Sequence, residues 1–185
     1  MINHIDLSSV LRGAVCELYS NLVTRPTGAA VRSVIEERLA DPGAHGVTVI
    51  DFTNVTLLDF SCADEIVAKL VLRYCDDQAP PLAGYFVFRG IGDSHLDAIE
   101  TVLERHRIAI VAQLDGEPRL VGSVEPDEQR VWDLVCRLGP ADAGAVSEAC
   151  GESREATEAV LERLRRRRLL MRLDDQWVAV GAAAA

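Results

Sequence analysis

Val47-Thr48-Val49-Ile50-Asp51-Phe52-Thr53-Asn54-Val55-Thr56-Leu57-Leu58-Asp59-Phe60-Ser61-Cys62-Ala63-Asp64-Glu65 is the stretch whose reading decides the fold. Its first six residues form a short run rich in Val, Ile and Phe between Gly46 and Asn54, the pattern of a strand buried on both faces. Past Asp59 the period changes. Ala63, Ile66, Val67, Leu70, Val71 and Tyr74 recur at spacings of three and four, which puts them on one helical face packed against a sheet. The spacing predicts a helix over residues 61–75 with Ser61 as its N-cap. Ser61 and Asp64 then form a capping box, a structural device worth about 1 kcal/mol.

Outward from this unit the chain alternates element types. Residues 14–23 read as a strand, residues 29–39 as a helix with Val31, Val34, Ile35 and Leu39 inward, and residues 85–88 as a third strand after the breaker at Pro80-Pro81. A helix carrying Leu96, Ile99, Leu103 and His106 precedes a fourth strand at residues 108–111. A ribbon at residues 119–121 follows across the Asp115-Gly116 turn. Alternating strands and helices imply an α/β fold with a largely parallel or mixed sheet. Turn formers between Gly122 and Pro126 mark a boundary, which divides the chain into residues 1–124 and residues 125–185. The second part reads as a helix over 127–138, a short helix over 142–150, a longer helix capped by Ser153, and a hairpin turning at Asp174-Asp175.

Composition narrows the function classes. The formal net charge is −10, with −3 from residue 125 onward and −7 before it, which argues against nonspecific coating of nucleic acid. No apolar run approaches the roughly 20 residues of a membrane span, and the first residues lack a signal-peptide pattern, so a cytoplasmic protein with no membrane association is expected. Five cysteines, odd in number and without a C-x-x-C pair, predict neither a disulfide framework nor a zinc site.

Asp51-x-x-x-Val55-x-x-x-Asp59-x-Ser61, between a strand and a helix, resembles the core motif of STAS domains, the fold of anti-sigma-factor antagonists. In that family an Asp-Ser-Ser-Gly turn carries a serine phosphorylated by a histidine-kinase-like ATPase. Asp59 matches the Asp and Ser61 the phosphoacceptor, while Phe60 and Cys62 depart from the pattern. Ala63-Asp64-Glu65 and Thr24-Arg25-Pro26-Thr27-Gly28 look like a divergent STAS-like group with an Ala-Asp-Glu signature. The resemblance covers residues 10–122, and residues 127–181 resemble a winged helix-turn-helix domain.

Parallel strands would set the helix starts on one rim. Arg25, Thr27, Asp59, Asp64, Glu65 and Ser94 are therefore expected to form a partner-binding edge, with Ser61 the candidate phosphoacceptor and a kinase or anti-sigma-type protein as partner. A homodimer stays open. Arg154, Arg163, Arg165, Arg166, Arg167 and Arg168 are the candidates for DNA contact, although the helix and wing around them are acidic. The alternative reading is a DNA-binding transcriptional regulator whose N-terminal domain senses a ligand or dimerises. Catalysis is not expected. No nucleophile elbow or zincin motif is present, Asp93-x-His95-x-Asp97 reads as a solvated helix start, and His106 reads as a packed histidine. Asp59, Asp64 and Glu65 could hold a cation but are more cheaply explained by the helix dipole. No metal or cofactor is expected.

Overall fold

The computed structural model describes residues 2–14, 21–40, 46–75 and 84–182. Five strands form a mixed sheet in the order β1, β3, β5, β6, β7, where β1 is Ile2–Asp6, β3 Val47–Asp51, β5 Tyr85–Arg89, β6 Ala109–Leu114 and β7 Glu117–Gly122. The first four run parallel, and β7 returns antiparallel along β6. That return uses Asp115 and Gly116, both at positive φ (54° and 84°), the backbone a tight two-residue hairpin with right-handed twist requires.

The period-2 side-chain alternation of the strands builds two cores. Ile50, Phe86, Phe88, Ile110 and Ala112 point to one face, and Val47, Val49, Val87, Ala109 and Val111 to the other. Each parallel step moves to the next strand in the same direction. Right-handed crossovers of that kind place their helices on one face only. That face is covered by α1 (Leu7–Ala14), α2 (Arg25–Leu39), a helix running from α3 (Phe60–Ala63) through a π segment (Asp64–Ala68) into α4 (Lys69–Cys75), and α5 (Asp93–His106).

The opposite face is covered by the C-terminal part. Here α6 (Pro126–Leu138), α7 (Ala143–Cys150), α8 (Arg154–Arg166) and the ribbon of β8 (Leu170–Leu173) and β9 (Gln176–Ala179) bring Trp132, Val135, Leu169, Val178 and Val180 into one cluster with the sheet valines. Asp142 caps α7 through the Ala145 amide (2.9 Å) and Ser153 caps α8 through the Ala156 amide (3.2 Å). Polar contacts close the seam. Arg168 donates to the Tyr74 carbonyl (2.9 Å) and lies 5.6 Å over the Tyr85 ring, and Arg167 reaches Glu128 and the Ser123 carbonyl. The expected boundary at 124/125 falls in the link between β7 and α6, yet the two parts share a hydrophobic cluster across it.

Several elements differ from expectation. β1 and α1 were not foreseen, although Leu7, Val10 and Leu11 already show helical spacing. Of the strand expected at residues 14–23, Ala14 closes α1 and Asn21–Leu22 forms β2, a short parallel pair with β4 (Leu57–Leu58); residues 15–20 lie outside the described set, as does the breaker at Pro80-Pro81. The helix after Asp59 is interrupted by the π segment, because apolar positions three and four apart do not show where a wider turn is inserted. Among the described residues no helix is long and apolar enough to cross a membrane.

Candidate functional site

The parallel pairing of β2 with β4 brings the starts of α2 and α3 together. α2 is capped by Thr24, whose hydroxyl accepts from the Thr27 amide (3.3 Å) and pairs with the Thr27 hydroxyl (2.8 Å). α3 is capped by Asp59, not by Ser61. The Asp59 carboxylate accepts from the Cys62 amide (2.7 Å) and from the Ser61 hydroxyl (2.9 Å), so the helix begins one residue earlier than predicted and Ser61 occupies its second position, half-buried. The physical reason is the stronger acceptor: a charged carboxylate two residues ahead outcompetes a hydroxyl for the free amide. Burial works against the Asp59 carboxylate, but the Cys62 amide and Ser61 hydroxyl more than offset it and hold the carboxyl below its ordinary range. The α2 and α3 starts are tied directly, since the Asp59 amide donates to the Leu22 carbonyl (2.9 Å) and Cys62 Sγ to the Thr24 carbonyl (3.0 Å). Burial, then the Asp59 charge, pushes the Cys62 thiol up to about 12, so it is an inert packing group.

Asp64 and Glu65 are not on the rim surface. They are 5% and 3% exposed and lie inside the π segment, where α2 and α4 supply cations and α5 a histidine to them. Arg25 donates to Asp64 Oδ2 and Glu65 Oε1, both at 2.8 Å; Arg32 reaches Glu65 Oε2 (3.3 Å) and Glu36 (2.8 Å); Lys69 pairs with Glu65 one turn away; His106 Nε2 lies 2.7 Å from Asp64 Oδ1. Burial raises the proton affinity of both acids. Arg25 and His106 at Asp64, and Lys69 and Arg25 at Glu65, reverse this and keep both below the ordinary carboxylate range. Gly28 makes the approach of α2 close enough for these pairs. A Cβ there would sit 2.9 Å from the Cys62 Cα and 3.1 Å from the Glu65 Cβ.

Sequence reasoning missed Arg32, Lys69 and His106. Arg25 and Arg32 are seven apart on one helix face, and Glu65 and Lys69 four apart, which is the signal that was available. His106, at the end of α5, is a hydrogen-bond partner of Asp64 rather than only a packed apolar-face histidine. Arg25, expected on the partner-binding edge, is already committed to two carboxylates. His95 is buried rather than solvated: its Nδ1 accepts from the Gly92 amide (3.2 Å) at the start of α5, its ring packs against Phe52, and Ser94 beside it stands exposed.

Three large apolar side chains are exposed among the polar ones here. Val23, Leu57 and Phe60 are 40%, 50% and 49% exposed; Leu57 lies in the β2–β4 pair, and Val23 and Phe60 flank it next to Asp59 and Ser61. Among the described residues no group of three or more His, Cys, Asp or Glu is placed to hold a metal ion.

Five of the six arginines expected to face DNA carry acidic partners. Arg154 pairs with Glu158, Arg163 with Asp127 and Glu128, Arg165 and Arg166 with Glu162, and Arg167 with the buried Glu128, while Arg168 is spent on Tyr74 and Tyr85. Comparison with family models, curated proteins and solved structures gives no match for this chain.

Proposed function

We propose that this protein is a non-enzymatic signalling regulator in which a STAS-like α/β part offers a partner-binding edge, switched by phosphate at Ser61, and a winged-helix-like part is fixed to the other side of the sheet. The observation that carries the reading is the edge itself. A reachable hydroxyl sits in the second position of a helix, held by Asp59 at 2.9 Å and bordered by three exposed apolar side chains. Large apolar side chains left exposed beside a polar group support reading this place as a partner contact.

The switch follows from charge. A phosphoryl group on Ser61 removes the hydrogen it gives to Asp59 and sets roughly −1.5 to −2 charges against that carboxylate. The helix N-terminus returns at most about 1 to 2 kcal/mol, and Arg25 is held by Asp64 and Glu65, so repulsion dominates at the edge. The expected result is release of a kinase or anti-sigma-type partner with the fold retained. Affinity capture from the native cells with Ser61→Ala, Ser61→Asp and parent protein tests this. Partner retained by Ser61→Ala and lost by Ser61→Asp supports the switch. Identical partners for all three, together with phosphate never found on Ser61 by mass spectrometry, reduces Ser61 to a helix-start residue.

The C-terminal part supports a winged-helix reading through its three helices, its ribbon and the bridge of Ala141 to Trp177 that adds a short third strand. Its arginine pairing favours protein contact over DNA as the output.

A further inference from the structure

The C-terminal part holds a cleft of about 560 Å³ between the outer stripe of α8 and the ribbon. One wall is Arg154, Glu158 and Glu162, spaced one turn apart; the other is Arg172, Asp175 and Trp177. In a winged helix this is the side that would meet phosphates. Here carboxylates outnumber cations. Arg154 is neutralised by Glu158 (2.8 Å) and Arg172 by Asp175 (2.7 Å), while Glu162 takes its partners, Arg165 and Arg166, from further along the helix.

The cleft also shows which chemistry it accepts. The Arg172 guanidinium lies 5.7 Å over the Trp177 ring while bonded to Asp175, a cation stacked on an indole and closed by a carboxylate. That arrangement is an internal occupant. Arg172 and Asp175 are both largely exposed, 54% and 89%, so the arm that fills the ring face is held only at the surface.

We propose that this cleft is a docking groove for an arginine-bearing segment of a protein partner, whose guanidinium groups displace Arg172 from Trp177 and pair with Glu158, Glu162 and Asp175. The proposal rests on the cleft alone and stands whether or not Ser61 is a switch. Duplex DNA is the competing occupant, and the two arginines lining the cleft, Arg154 and Arg172, are already paired with carboxylates.

The test is calorimetric titration of the full chain with a synthetic peptide alternating arginine and leucine, the same peptide with glutamate replacing arginine, and duplex DNA, at low and at physiological salt. The arginine peptide should bind, more weakly as salt rises, and the other two should not. Glu158→Gln with Glu162→Gln, both on the helix surface, should weaken the peptide about tenfold or more. Arg172→Ala should tighten it, because the indole face and Asp175 become free. Absence of peptide binding, preference for DNA or the acidic peptide, indifference to the glutamate changes, or weaker binding by Arg172→Ala would each overturn the proposal. Circular dichroism of the variants checks that the fold is kept.

Discussion

On one face of the sheet, Ile50, Phe86, Phe88 and Ile110 are covered by helices that the chain must make in order to connect parallel strands. On the other, Val47, Val49, Val87, Ala109 and Val111 are equally buried, but by a block that follows the last strand and has its own helices and ribbon. The helix-side cover encloses charge: Asp64 and Glu65 are sealed by Arg25, Arg32, Lys69 and His106. The cover on the second face is mainly valine against tryptophan and valine, and it buries a single acid, Glu128, with Arg163 and Arg167 at its margin. The difference teaches that the first face comes with the topology, whereas the second is complete only if residues 126–182 dock.

Removing that block is the strongest way to break the comparison. A fragment of residues 1–124 leaves five apolar sheet residues bare and should lose a cooperative unfolding transition, bind a hydrophobic dye and self-associate in size-exclusion chromatography. A monomeric fragment with sharp dispersed NMR resonances would mean that the second cover is dispensable.

A smaller effect is expected inside the charged cover. Glu65→Ala strands Arg25, Arg32 and Lys69 beside Asp64, and because those cations are one-quarter to one-half exposed and can regain water, the cost should be roughly 2 kcal/mol in urea unfolding. A loss below about 0.5 kcal/mol would show that the cluster contributes as little as an ordinary surface pair.

Acid titration probes the charged cluster in another way. The folded-state affinities of Asp64 and Glu65 for protons lie below their ordinary values of 3.8 and 4.5, so their contribution is whole above that range and is lost as pH falls through the folded values. Stability should therefore fall as pH drops below about 4, and Asp64→Asn with Glu65→Gln should flatten that slope relative to the parent. Parallel slopes in both proteins would place the acid sensitivity elsewhere. The mildest change is at the seam: Arg168→Ala removes one hydrogen bond to Tyr74 and one ring contact, for about 1 kcal/mol, with the docked arrangement retained by hydrogen exchange at the sheet valines.

Much of this was legible in the residues. The run at Val47–Asp51 announced burial on both faces, and the two tight turns and the three C-terminal helices followed from local pattern. The unread part depends on distance along the chain. Asp64 and Glu65 look like solvated helix-start acids because their main partner, Arg25, lies 39 and 40 residues away, and charge alone does not reveal a buried pair. The π segment leaves the local apolar spacing unchanged. That the second sheet face would be closed by the C-terminal part was implicit in the doubly buried strand, but nothing in the sequence of the block names the surface it covers.

The order of the elements gives the second cover a consequence in time. Synthesis proceeds from the N-terminus, so β1, β3, β5 and β6 can pair before the helices of residues 126–182 have left the ribosome. During that interval the nascent sheet carries a naked valine face while the late block, built from short-range contacts, waits to form quickly once released. The interval in which the valine face lacks its cover thus lies between the emergence of β7 and the emergence of residues 126–182.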